Sequence, residues 1–129
     1  MSVVNVKVAY LRPKYPDLQA WTRDPQNVYV GRRGIVFVTN PDGSKQRFPP
    51  QDSPWHNPFK VGKDGTREEV VAKYRAYIIP RIERGELDLS ILKGKNLGCW
   101  CAPELCHGHV LLDLINYYCY PQIVLTSIE

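Results

Sequence analysis

Gly98-Cys99-Trp100-Cys101-Ala102-Pro103-Glu104-Leu105-Cys106-His107-Gly108-His109 holds three of the chain's four cysteines and two of its three histidines. Residues 97–101 read as a short buried strand, 102–105 as a turn, and Cys106 onward as the opening of an amphipathic helix. A strand, turn and helix in that order aim side chains and unsatisfied backbone N–H groups into one crevice, the place where open α/β sheets bind ligands. The stretch therefore predicts both a fold class and a site.

Working outward, Val110, Leu111, Leu114, Ile115 and Tyr118 continue an apolar stripe at helical spacing over residues 107–118. Cys119 falls just past that helix and reads as a small buried hydrophobe, Pro121 ends the helix, and residues 123–128 suggest a last strand or arm. Upstream, Thr66-Arg67-Glu68-Glu69 is a capping box that starts a second helix, with Val70, Val71, Tyr74, Tyr77 and Ile78 on its inner face. That helix meets Pro80, continues through Ile82 and stops at Gly85; Leu87, Leu89, Ile91 and Leu92 then make a short packed turn before the central strand.

The first half of the chain is richer in turns. Residues 5–10 alternate enough to read as a first strand with Val6 and Val8 on one face, and residues 11–26, with Pro13, Pro16 and Pro25, read as a loop. Val28, Tyr29 and Val30 form a second strand ending at Gly31-Arg32-Arg33-Gly34, a combination suited to an anionic ligand or simply to an exposed turn. Pro41-Asp42-Gly43-Ser44 between β-prone segments predicts a β-hairpin, so that residues 34–52 form an inserted hairpin and loop. Ser53-Pro54-Trp55-His56-Asn57-Pro58-Phe59-Lys60 reads as an ordered loop, because its prolines fix an extended path while its aromatics are buried. Asn57, before Pro58, is kept out of helical geometry, and its amide is offered to a ligand or to neighbouring backbone.

A length of 129 residues, 43% hydrophobic and 23% charged, fits one domain spanning the whole chain. No apolar run approaches the roughly 18–20 residues of a membrane span, and the N-terminus lacks a signal-peptide pattern, so a cytoplasmic location without membrane contact is expected. Three cysteines within eight residues argue for thiols or a metal rather than a secreted disulfide framework. The net charge of +4 is unevenly placed: residues 1–67 hold eleven Lys or Arg against five Asp, and residues 68–129 hold six against eight acidic residues. A basic first half suits phosphates of a nucleotide or nucleic acid, although a solvated surface produces the same count.

Three chemistries compete for the cluster. Zinc is the first, with Cys99, Cys101, Cys106 and His109 as candidate ligands; the spacing is not that of a standard knuckle, and no second ligand pair lies elsewhere. A thiolate or His general base is the second, since a Cys at a helix start has its anion favoured and His107 beside it can move a proton. Packing is the third: small cysteines fill the strand–helix junction and His107 bonds a carbonyl. Cys99 and Cys101 share one strand face in all three cases.

Tyr29-Val30-Gly31-Arg32, Ser53-Pro54-Trp55-His56-Asn57-Pro58-Phe59, Gly65-Thr66-Arg67-Glu68-Glu69 and Cys99-Trp100-Cys101-Ala102-Pro103 with Cys106-His107-Gly108 resemble, in order and spacing, the DUF4326 family of small domains of bacteria, phages and large viruses. In that family the first two segments run almost directly together, whereas residues 34–52 intervene here, and His109 stands where an Asp is expected. The Cys-His ending is also similar to the motif of the DUF488 proteins. The resemblance implies a small α/β domain and a site, with no activity attached.

The resulting expectation is a single α/β domain, a mainly parallel sheet flanked by helices, that binds a nucleotide, nucleoside or similar phosphorylated ligand and acts on it as an enzyme or only holds it. Arg32, Asn57, Lys60 and Arg67 would contact the anion, and Cys106, His107 and Cys101 would form the reacting end. The alternative is a nucleic-acid-binding or interaction module with structural zinc and no catalysis.

Overall fold

A computed structural model describes residues 2–101 and 104–119. In chain order its elements are β1 (Ser2–Asn5), a single helical turn α1 (Val8–Leu11), α2 (Leu18–Arg23), β2 (Asn27–Tyr29), β3 (Val36–Thr39), β4 (Lys45–Phe48), α3 (Arg67–Glu83), a 3-10 turn (Leu89–Leu92), β5 (Asn96–Cys99) and α4 (His107–Cys119). β5 is the centre of a three-stranded parallel sheet of order β1-β5-β2, and β3 and β4 form a separate antiparallel hairpin. The fold is α/β, as the strand–turn–helix stretch implies.

The sheet has two covered faces, and the side-chain period of two sorts its residues between them. Leu97 and Cys99 of β5, with Val3 and Val28 beside them, face α3, α4 and the 3-10 turn in the larger core cluster, where Tyr74, Ile78, Leu92, Leu111 and Ile115 are fully enclosed. Truncating one of these, such as Leu111, to Ala costs about 2–5 kcal/mol. Val4 of β1, with Val6 just beyond it, turns to the opposite face and packs with Leu11, Leu18 and Trp21. Gly98 lies on that same face because Trp21 leaves no space: a Cβ there would sit 2.5 Å from Trp21 Cη2 and 2.7 Å from Val6 Cγ1.

Local signals explain the long helix. Thr66 and Glu69 make both bonds of the capping box. At the other end Glu86 N–H bonds the Arg81 carbonyl and Gly85 N–H the Ile82 carbonyl, with Gly85 at φ 79°, the Schellman arrangement that a left-handed glycine permits. Pro80 lies inside one continuous helix rather than dividing it.

The N-terminal segment departs from expectation. The alternation over residues 5–10 suggested a strand, but the Asn5 side chain accepts from Lys7 N–H at 3.0 Å and turns the chain after β1, so Val8 starts a helical turn. Of that stretch Asn5 ends β1 opposite Cys99, and Val6 just beyond it donates to the Cys99 carbonyl. The presumed loop over 11–26 contains α2, capped by Asp17, whose carboxylate accepts from Ala20 N–H at 2.8 Å. Cys119 is the last residue of α4 and half-buried rather than beyond the helix. The expectations for Pro121 and residues 123–128 lie outside the described residues. Among the described residues no helix is long and apolar enough to cross a membrane.

Candidate functional site

Because the three strands of the sheet are parallel, β2 and β5 end on the same edge. Gly31 and Arg32 follow one, Trp100 and Cys101 the other, and α4 begins beside them. A cleft of about 460 Å³ opens there, within the size range of small-molecule sites. Its lining includes Arg32, Asn57, Lys60, Arg67, Cys99, Cys101, Cys106 and His107, together with apolar surface from Ile35, Phe59, Val61, Val70, Val71, Trp100 and Leu105. All seven residues named from the sequence as anion-binding or reacting groups thus share one cavity. His109 does not line it.

Each position has a local cause. Arg32 is held by backbone: its Nε and Nη2 donate to the Asn57 carbonyl at 3.0 and 2.8 Å, and Nη2 also donates to the Phe59 carbonyl at 2.9 Å. This clamp shapes the Asn57–Lys60 loop from a residue that lines the cleft, and Nη1 makes no hydrogen bond among the described residues. The Asn57 amide is itself used inside the protein, donating to the Val70 carbonyl at 3.3 Å and accepting from Phe59 N–H at 2.9 Å. Lys60 is exposed at the rim. Arg67, the first residue of α3, donates to the Leu105 carbonyl at 3.2 Å and pairs with Glu104 at 3.1 Å, a partly exposed ion pair of little energetic weight.

His107 is almost fully buried, with Nε2 2.6 Å from the Val30 carbonyl and its ring edge-on to Tyr74 at 5.0 Å. A carbonyl only accepts, so Nε2 carries the proton and Nδ1 the lone pair. Burial lowers the His107 pKa to about 4, which leaves the ring neutral at pH 7. His109 Nδ1 instead accepts from Cys106 N–H at 3.1 Å, the third-residue half of a capping box made with imidazole.

The three clustered cysteines are thiols at different depths. Cys99 and Cys106 are buried with their sulfurs 3.1 Å apart, whereas Cys101, two residues past the end of β5, packs against the same cluster and is half-exposed in the cleft. The Cys106 thiol donates toward Cys101 and the Arg67 guanidinium stands beside it, and together they hold the Cys101 thiol down to about 6. The same contact, with Cys99 and burial, pushes the Cys106 thiol up. The anion that the helix start was expected to favour at Cys106 therefore falls on Cys101, because Cys106 is enclosed and serves as donor. Among the described residues no group of three or more His, Cys, Asp or Glu side chains is placed to hold a metal ion.

Residues 16–117 match the model of the family described as domain of unknown function DUF4326. This chain belongs to the DUF4326 family. It is 38% identical over 98 residues to the uncharacterized protein R718 of Acanthamoeba polyphaga mimivirus, covering 68% of this chain and 65% of that one. It is 40% identical over 60 residues to an uncharacterized 12.4 kDa protein in the nrdA-td intergenic region of Enterobacteria phage T4, covering 43% of this chain and 56% of that one. The chain thus spans less than two thirds of the length of either relative. No solved structure matches it.

For this DUF4326 domain, sequence reasoning missed the apolar half of the cleft, Ile35, Val61, Val70, Val71 and Leu105; the packing reading had His107 bonding a carbonyl, and the structure shows that carbonyl to be Val30's. Val70 and Val71 stood in the helix stripe, so their spacing marked them as buried without separating cleft from core. A backbone carbonyl carries no sequence signal at all.

Proposed function

We propose that the cleft binds a nucleotide, nucleoside or similar phosphorylated small ligand, with Cys101, Cys106 and His107 at its reacting end. One observation carries this reading: Arg32, Lys60 and Arg67 line a cavity of about 460 Å³ whose wall, among the described residues, contains no carboxylate and includes apolar surface from Ile35, Phe59, Val61 and Leu105. Arg67 is already matched by Glu104 and by the Cys101 sulfur, so the phosphate falls to Lys60 and to Arg32 Nη1, and Arg67 links that end to the thiols. The site stands at the carboxyl ends of parallel strands, the usual place for such ligands. The likeness of Cys106-His107 to the DUF488 ending belongs to this proposal as an expectation from sequence.

Isothermal titration against nucleosides, their mono-, di- and triphosphates, dinucleotides and inorganic phosphate tests it. A phosphorylated member should bind, and Lys60→Ala should weaken it by about tenfold or more, the loss of one charge-assisted contact. Failure of the unmodified protein to bind any member overturns the reading.

A second reading, a nucleic-acid-binding module, is favoured by the outer face of the hairpin. There Phe37 is 63% exposed and opposite Arg47, whose guanidinium lies 4.9 Å over its ring, with Thr39 opposite Lys45 next along the ribbon. An aromatic among basic groups suits single strands. The structural zinc of that alternative has no assembled ligand set among the described residues.

A further inference from the structure

The cleft floor carries a chemistry that ligand binding does not require. Cys101 is half-exposed in the cavity, Cys106 lines the same cavity from a buried position and packs in the same core cluster, and the Cys99 sulfur lies 3.1 Å from that of Cys106 on the sheet side. Beyond Cys101, Glu104 N–H bonds the Cys101 carbonyl at 2.8 Å. An accessible sulfur sharing its cavity with a buried thiol is the arrangement of an oxidisable cysteine and its resolving partner. We propose that Cys101 is a site of reversible oxidation by hydroperoxides, resolved by Cys106 as an intramolecular disulfide.

The chemistry balances with the hydroperoxide as oxidant. The Cys101 thiolate attacks one peroxide oxygen, the O–O bond breaks, and hydroxide leaves and is protonated to water; Cys101 becomes a sulfenic acid. The Cys106 sulfur then attacks the Cys101 sulfur, the S–O bond breaks, and the departing hydroxyl takes the Cys106 proton as water. Two thiols have become one disulfide and the peroxide two waters. The Arg67 guanidinium, beside the Cys101 sulfur, favours the attacking anion in the first step. Cys99 is not the first target, because it is enclosed in the sheet core where peroxide does not reach it. The bridge removes the sulfur anion from the reacting end and from Arg67, so oxidation and ligand chemistry exclude one another at this site. The inference stands on the thiol cluster alone, whether or not a nucleotide occupies the cleft.

The test is oxidation of the reduced 129-residue chain with equimolar hydrogen peroxide at pH 6, followed by intact mass and peptide mapping. At that pH about half of Cys101 is thiolate against a few per thousand of an ordinary thiol, and its lower intrinsic nucleophilicity offsets part of that advantage. Cys101 should therefore react about ten times faster than free cysteine, the chain should lose two hydrogen masses, and the bridge should map to Cys101 and Cys106. In Cys106→Ser the sulfenic acid should persist and be captured by dimedone; in Arg67→Gln the rate at pH 6 should fall by several-fold. A bridge between Cys99 and Cys106 in the unmodified chain, or oxidation of Cys101 no faster than free cysteine, overturns the proposal without bearing on the titration of nucleotides. The mapping needs no substitution, so misfolding of Cys106→Ser leaves it decisive.

Discussion

His107 Nε2 donates to the Val30 carbonyl across 2.6 Å, tying the first residue of α4 to the end of β2 with a neutral, almost wholly buried imidazole. Its pKa is lowered from 6.5 to about 4, so between these values the unfolded chain binds a proton that the folded chain does not. Stability contributed by neutral His107 is complete above about pH 6.5 and is lost as pH falls toward 4, by up to about 3 kcal/mol. Urea midpoints of the wild type and His107→Asn, measured from pH 7 to 4.5, should converge as the pH falls. Parallel curves would mean that the ring is not held neutral.

The Arg32 clamp gives a second expectation. Arg32→Lys keeps the charge but loses the fork that grips the Asn57 and Phe59 carbonyls, and it should destabilise the domain by about 1–3 kcal/mol in urea. Lys60→Ala, in the same cleft but exposed and without such bonds, should leave the urea midpoint unchanged. Equal stability of Arg32→Lys and wild type would reduce the clamp to a surface contact.

What the sequence reveals depends on how local the cause is. The capping box at Thr66 and Glu69, the Pro41-Asp42-Gly43 turn and the β-prone run into Cys99 act within a few residues, and each produces the element it implies. The turn at Asn5 and the helix capped at Asp17 were also local, but valine alternation and three flanking prolines masked them. The membership of the cleft was legible because its polar residues sit at element ends. Their use was not: the Asn57 amide is taken by backbone, the His107 tautomer by a carbonyl from another strand, and the anion by Cys101 because Cys106 is buried behind it. Those outcomes arise only when distant segments meet.

Gly98 offers a test of the sheet that supports the site. Its missing side chain is the space that Trp21 fills, and the strand brings Cys99 to the opposite face directly after it. Gly98→Ala should cost about 1–3 kcal/mol or more through overpacking against Trp21 and Val6, read as a lower urea midpoint. In a Trp21→Phe background, where the clashing ring is smaller, the added cost of Gly98→Ala should shrink. An unchanged cost in that background would place the strain in the strand backbone rather than against the ring.

The hairpin separates the two functional readings, because the residues of its outer face are exposed and belong neither to the core nor to the thiol cluster. Val36 and Phe48 seat the ribbon on the smaller cluster, while Phe37, Lys45 and Arg47 point away from it. If this face binds a single strand, affinity should fall steeply with salt, Lys45→Gln should reduce the log–log slope by about 0.7, and Phe37→Ala should cost about 1–3 kcal/mol of stacking. Both substitutions keep the inner seat intact, so circular dichroism should not change. A slope near zero for a fluorescent oligonucleotide, with intact nucleotide binding in the cleft, would leave the hairpin as scaffold and assign the function to the cavity beside Cys101.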